Sequence, residues 1–311
     1  MTAQPSEGGP TPSPRRRWSL KAYMLGLVVV FVVAAGINVA YQRNAARSDA
    51  RDTAIAEARF AAGIAARDIA QNLAMANTTV QTTAANPALA QAIDAPPGCK
   101  LAFEGAAGSF VTGHLDIVAR DGSVLCSSLD SPAAAAYAGA GWLAGALAAP
   151  TLVGPVADER TGKPVVVVAA PTGGRASLVA FLDLDRLAPA VAATLGGPRQ
   201  LEFVVTDQAV IVSRSIEPSR WVGWPVAGTP FDTADARVER DDLDGVPRLY
   251  GQSPVEGIGW NVFAGADRDE ALATADRLSA RQLGITMLGL AVFLAAALVI
   301  YRRIARPIRE L

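Results

Sequence analysis

The chain has 311 residues, a formal net charge of −1, and 51% hydrophobic against 18% charged residues. That length holds two domains of ordinary size, or one domain plus membrane segments. A near-neutral charge argues against a nucleic-acid binder, which needs a basic excess or a basic face to neutralise phosphates.

In chain order, residues 1–14, MTAQPSEGGPTPSP, carry almost nothing apolar to offset ordering entropy, so residues 1–21 are expected to form a disordered tail. AYMLGLVVVFVVAAGINVAYQ, covering residues 22–42, and QLGITMLGLAVFLAAALVIY, covering the span placed at 283–301, are uncharged. Each supplies the roughly 20 residues that a helix needs to cross a hydrocarbon core. A cleaved signal peptide has the same basic-then-apolar order as the first. Its apolar core is only about 7–15 residues long, whereas this one continues through Ile37, Val39 and Tyr41. Arg15, Arg16, Arg17 and Lys21 precede the first span, and Arg302, Arg303, Arg306 and Arg309 follow the second. The positive-inside rule therefore places both ends in the cytoplasm and residues 43–281 outside, in the periplasm of an inner-membrane, multi-pass protein. Cys99 and Cys126 are the only cysteines and both fall in that outside segment. An oxidising compartment and an even count favour a disulfide, with two buried free thiols as the alternative.

Residues 43–98 read as a long periplasmic helix, because Ala62, Ala66, Ile69, Leu73, Ala76 and Val80 alternate four and three apart. That stripe is expected to pack partly on its own domain and partly on a second copy near the membrane, giving a homodimer. Over 99–197 the period becomes two. HLDIVARDGSVLCSS is strand, turn and strand, with Asp121-Gly122 supplying positive φ, and PVVVVAAP followed by GGRASLVAFLDL repeats the pattern with Gly173 and Gly174 at the turn. LDRLAPAVAATL is a short helix closed by Gly196-Gly197-Pro198, which marks a domain boundary. Residues 198–266 repeat the plan in EFVVTDQAVIVSRS, VPRLYGQSPV and GIGWNVFAGA. Residues 267–282 are polar and helical and run into the second span, which makes them a signalling helix.

The order of these pieces resembles the double Cache sensor region of bacterial transmembrane receptors. The residues that carry it are IVARDGSVLCSS, VGPVADERTGKPVVVVAAP, LVAFLDLDRL, RWVG, LDGVPRLY and WNVFAGADRDEAL. The resemblance implies an α+β fold: two PAS-like antiparallel sheet domains in series on a long N-terminal helix, flanked by two transmembrane helices. The closing RRIARPIREL, residues 302–311, looks like the start of a HAMP linker, with Pro307 and Leu311 at that module's positions. Pro307 is then a signal-transmitting residue. In such receptors the output is a histidine kinase, a diguanylate cyclase or a chemotaxis rod, and none of these is expected within this sequence.

In amino-acid-binding relatives the distal pocket uses an Arg-x-aromatic-aromatic stretch, an acidic residue before a Thr-Gly-Lys-Pro-like turn, and a carboxylate on the exit strand. Arginine takes the ligand carboxylate, while aspartates and aromatic faces take the ammonium. Carried over by position, this implies Trp142 at an aromatic site, Asp158 before Thr161-Gly162-Lys163-Pro164, and Asp183 on the exit strand, with Tyr137 and Arg160 as neighbouring candidates. The arginine position holds Ala140, the second aromatic position Leu143, and the tyrosine position before Asp158 holds Val156. A core or cap role for Trp142 and backbone capping by Asp158 and Asp183 are the structural alternatives.

His114 is the only histidine and is read as structural, so neither a metal site nor a cofactor is expected. ERDDLDG has Arg240 where a calcium loop needs its first ligand, so Asp241, Asp242 and Asp244 are expected to form a solvated turn. GPVADERTGKP lacks the spacing of a phosphate-binding loop. No nucleophile and base pair is recognisable, so catalysis is not expected of this chain. The expected function is an extracytoplasmic input module that takes a small polar ligand, the alternative being an interaction protein whose periplasmic domain docks a protein partner.

Overall fold

The structure is a computed structural model, and it describes residues 20–93, 99–103, 112–129, 135–173, 175–197, 201–232 and 238–305. Pro307, Leu311 and most of the N-terminal tail lie outside the described residues. The chain divides into two compact units, residues 49–273 and the paired segments 1–48 and 274–311.

The elements in order are α1 (Leu20–Ala84), α2 (Pro87–Ile93), β1 (Gly113–Ala119), β2 (Val124–Ser127), α3 (Leu143–Ala148), β3 (Thr151–Ala157), β4 (Pro164–Thr172) and β5 (Ala176–Asp183). There follow α4 (Leu187–Leu195), β6 (Glu202–Thr206), β7 (Ile211–Arg214), α5 (Pro218–Trp221), β8 (Glu239–Asp241), β9 (Pro247–Val255), β10 (Trp260–Asp267) and α6 (Arg268–Ala305). Strands β1–β5 form one antiparallel sheet in the order β2-β1-β5-β4-β3, and β6–β10 form a second in the matching order β7-β6-β10-β9-β8.

Within residues 49–273, α1 is the shared spine of both sheets. Ala54, Ala58, Ala62, Ala65, Ala66, Ile69, Leu73 and Val80 are buried in one cluster with Ile117, Val166, Leu178 and Leu182 of the first sheet and Phe203, Val205, Val262 and Ala264 of the second. The expected helical stripe therefore packs intramolecularly, and Ala76 lies partly buried at its margin. The stripe is alanine-rich because the backbones approach closely. A Cβ on Gly251 of β9 would lie 2.1 Å from the Arg59 nitrogen and 2.5 Å from the Ala58 carbonyl carbon. Larger side chains on either partner would push helix and sheet apart.

With one face of each sheet on α1, the other face is left for loops and short helices. On the first sheet Val118, Val124, Val165, Val167, Val179 and Phe181 pack under Tyr137, Trp142, Leu143 and Ala146 of the cap. Gly122 makes the cap possible: it turns the β1–β2 hairpin at φ +81°, and a Cβ there would lie 2.3 Å from the Ala138 nitrogen. On the second sheet Val204, Ile211, Tyr250 and Phe263 pack under Trp221, Val226 and Phe231. The β6–β7 turn works without Asp-Gly because Asp207 Oδ1 accepts from the Ala209 and Val210 nitrogens at 2.7 and 2.6 Å. Cys99 and Cys126 form a disulfide, and Leu101 N donates to Ser127 O at 2.9 Å beside it.

The solvated-turn reading of Asp241, Asp242 and Asp244 fails at Asp242. Asp241 is exposed, but Asp242 is buried, because Arg214 of β7 and Arg248 of β9 converge on its carboxylate.

In the other unit, α1 and α6 each carry a stretch long and apolar enough to cross a membrane, judged by length and composition. Phe31 stacks on Phe293 at 5.1 Å, and Arg47 forks onto Asp276 at 2.8 and 2.9 Å. Large apolar side chains such as Val30 and Leu288 remain exposed.

Candidate functional site

Alternation along β1 sends His114, Asp116 and Val118 to the cap side of the first sheet and Ile117 to the α1 side. His114 lies opposite Phe181 of β5, and Asp116 lies opposite Ser127 of β2. The strand register alone thus gathers an imidazole, a carboxylate, a hydroxyl and a phenyl ring.

The cap adds the walls. The Tyr137 ring stacks on Phe181 at 5.0 Å, and the His114 ring stacks on Phe181 at 4.4 Å. Trp142 meets Tyr137 and Phe181 edge-on at 5.4 and 5.6 Å. Trp142 stands just before α3, is buried, and serves the cap.

Asp116 is fully buried and surrounded by donors. Ser127 Oγ donates to it at 2.6 Å, the Tyr137 hydroxyl at 2.9 Å, and Arg160 Nη1 sits 2.9 Å from both carboxylate oxygens. His114 Nε2 lies 3.6 Å away. Burial alone would raise the Asp116 carboxyl, but His114, Ser127 and Arg160 outweigh it and hold the group below the ordinary carboxylate value. Asp116 is therefore an anion with its countercation in place. Arg160 comes from the turn between β3 and β4, and its Nη1 also reaches Ser127 Oγ at 2.8 Å.

Asp158 is spent mainly on that turn. It accepts from the Thr161 nitrogen at 2.8 Å, from the Thr161 hydroxyl and from the Arg160 nitrogen at 3.2 Å. Its Oδ1 also lies 3.2 Å from the Tyr137 hydroxyl. Tyr137 has one proton to give, so Asp116 and Asp158 compete for it. Burial first, then the charges of Asp116 and Asp158, push the Tyr137 hydroxyl far above its ordinary value, which keeps it a donor.

The structure thus brings Tyr137, Trp142, Asp158 and Arg160 together. Asp183 lies on the same face, two residues beyond Phe181 at the end of β5, where Lys163 Nζ donates to it at 2.8 Å. That hydrogen bond raises Lys163 above its ordinary value. Asp116, Ser127 and Phe181 were not expected as site residues, and His114, read as structural, is part of the wall. Two polar residues at i and i+2 on one strand, His114 and Asp116, were the available signal. The ligand-clamping arginine position holds Ala140, and the arginine present, Arg160, points its guanidinium at a carboxylate of the chain itself.

Neither a protein-family model nor a curated protein matches the sequence. In structure the chain is similar to Cache-type ligand-binding domains of chemoreceptors and histidine kinases. One is the ligand-binding domain of the Pseudomonas aeruginosa PAO1 amino acid chemoreceptor PctB in complex with L-Arg: 21% identity, 68% of this chain and 93% of that one covered, TM-score 0.48. Another is the extracellular domain of the putative histidine kinase soHK1S-Z6, at 15% identity over 73% of this chain and 98% of that one, TM-score 0.49. A third is the ligand-binding domain of Mlp24 with asparagine, at 18% identity over 76% of this chain and 99% of that one, TM-score 0.44.

Proposed function

We propose that the chain is the extracytoplasmic sensing input of a bacterial membrane receptor of the Cache type, in which the first sheet is the membrane-distal one and the second the proximal one, and that the distal sheet takes a small cation: an amine, amidine or guanidinium compound. The supporting observation is the fully buried Asp116 anion, bonded by the Tyr137 hydroxyl and beside His114 Nε2, with the Arg160 guanidinium already on it. A buried carboxylate favours a cation and gives no grip on a ligand carboxylate. Arg160 is then a built-in occupant that the ligand displaces, and the turn carrying Arg160 and Asp158 moves when it leaves. A ligand can shift that equilibrium only by its differential affinity for the two arrangements.

In this reading both apolar helices span the inner membrane with their basic flanks in the cytoplasm, the receptor is a homodimer, and α6 carries the signal. β10 runs into α6 without a loop, and Asp267 Oδ1 caps the helix by accepting from the Asp269 and Glu270 nitrogens at 2.8 and 3.0 Å.

The test is thermal unfolding of the full chain in detergent micelles across alkylamines, amidines, guanidinium compounds and carboxylates of matched size. The expected result is a saturable rise in midpoint with a cation that is lost in Asp116→Asn. A rise with carboxylates only would refute the ligand class. A flat response to all would favour the second reading, a domain that docks a protein partner, for which the completeness of the Arg160–Asp116 pairing is the supporting observation.

A further inference from the structure

A second cluster of buried ionisable groups lies on the cap side of the second sheet. Arg214 of β7 donates from Nε to Glu202 Oε1 of β6 at 2.6 Å and from Nη2 to Asp242 Oδ2 at 2.8 Å. Arg248 of β9 reaches Glu202 Oε2 at 3.1 Å from Nη1 and donates to Asp242 Oδ2 from the same atom. Each guanidinium therefore touches both carboxylates, closing a ring of four charged groups. Asp244 takes the Arg248 fork at 2.8 Å on each oxygen, and the Tyr250 hydroxyl sits 3.4 Å from Glu202 Oε2. From the cap, Trp221 lies 5.6 Å from the Arg214 guanidinium carbon. Arg240 of β8 faces the same side, but its guanidinium goes to the Pro230 carbonyl and lies 5.9 Å from the Phe263 ring.

Three carboxylates thus meet two guanidinia, and Glu202, Asp242, Arg214 and Arg248 are all buried. Asp244 is partly exposed, and its hydrogen bonds with Arg248 hold it below the ordinary carboxylate value, so it keeps its charge. Arg248 is thus divided among Asp244, Asp242 and Glu202, which leaves the buried carboxylates with less than a full share of countercharge, and an under-compensated buried anion is relieved by protonation.

We infer that this ring is a proton-binding site: Glu202 carries one proton at neutral pH and releases it to solvent only in alkali. The same direction follows from its surroundings. Burial first, then the adjacent Asp242, push Glu202 from its ordinary 4.5 up to about 9. The proton sits against the root of α6. Gly265 of β10 pairs with Glu202 on one side and Tyr250 on the other, and Asp267 pairs with Arg248. A Cβ at Gly265 would lie 2.6 Å from Tyr250 Cε1 and 3.1 Å from Arg248 Cδ, so both side chains rest on that glycine. α6 begins at Arg268.

The experiment compares thermal unfolding of the full chain in detergent micelles with that of Glu202→Gln, whose amide cannot ionise. A carboxyl raised in the folded state stabilises fully below its ordinary value and loses that stabilisation as pH climbs toward the folded value. Relative to the variant, the wild-type unfolding constant should rise about tenfold per pH unit between about pH 5 and pH 9. A difference that does not change with pH would overturn the inference. Should the variant not fold, infrared spectra of the wild type decide. A protonated carboxyl band present at neutral pH and lost in alkali supports the proton, and its absence at neutral pH overturns it.

Discussion

The two sheets have the same strand order, rest on the same helix and bury a charged cluster on the same side, yet they use that cluster differently. In the distal sheet one arginine, carried on a short hairpin turn, meets a carboxylate that the Tyr137 hydroxyl also bonds. In the proximal sheet the two arginines of the ring, both rooted in strands, are locked between two carboxylates. An arginine on a turn is freer to leave its partner than arginines rooted in two strands of one sheet and shared between the same carboxylates. The first arrangement suits exchange of one cation for another, and the second suits holding charge beside the outgoing helix.

That contrast can be broken from either side. Asp116→Ala should have the largest effect, because it leaves Arg160 in a buried site without its carboxylate. Loss of one partner of a buried pair costs roughly 3–5 kcal/mol, to be read by chemical denaturation. Reduction of Cys99–Cys126 comes next. The bridge spans a sequence separation of 27 and staples only the distal side. Releasing a loop of that length should cost roughly 3–4 kcal/mol, and in hydrogen exchange the loss of protection should fall on β1 and β2. Gly265→Ala should cost about 1–3 kcal/mol through overpacking against Tyr250, concentrated in the proximal sheet. Arg220→Ala, which removes an exposed guanidinium 4.6 Å from the Trp221 ring, should shift stability by less than about 1 kcal/mol.

Acid sharpens the same comparison. Asp116 is held below the ordinary carboxylate value, so its contribution is present above that value and lost as pH falls through its folded one. Stability contributed by the distal cluster should therefore decline below about pH 4. The proximal Glu202 contribution declines in the opposite direction, toward alkali. An Asp116→Asn variant should flatten the acid limb of a midpoint-against-pH curve and leave the alkaline limb in place.

Much of the fold was legible because local pattern determines it. Asp121-Gly122 turned a hairpin, alternation marked β1 and β5, and the alanine stripe found α1. β3 and β8 were not expected. β3 is an edge strand containing Pro155, which an edge tolerates and a strand pattern conceals. Of the site, Asp158 and Trp142 were reached by resemblance, whereas Asp116 was missed although His114 and Asp116 share a strand face. Its partners lie 11, 21 and 44 residues away in the chain, and no local period encodes such pairs. Asp242 was misread for the same reason: its turn looks solvated until Arg214, 28 residues earlier, is brought against it.

The most direct measurement is rescue of Arg160→Ala by methylguanidinium. The full-length variant in detergent micelles is unfolded thermally with millimolar methylguanidinium and, separately, with methylammonium and acetate. If the distal site is built for a small cation that takes the place of Arg160, methylguanidinium raises the variant's midpoint saturably, acetate does not, and the added Asp116→Asn change abolishes the effect. An Arg160→Ala variant that folds but gains nothing from either cation would contradict a cation site at Asp116.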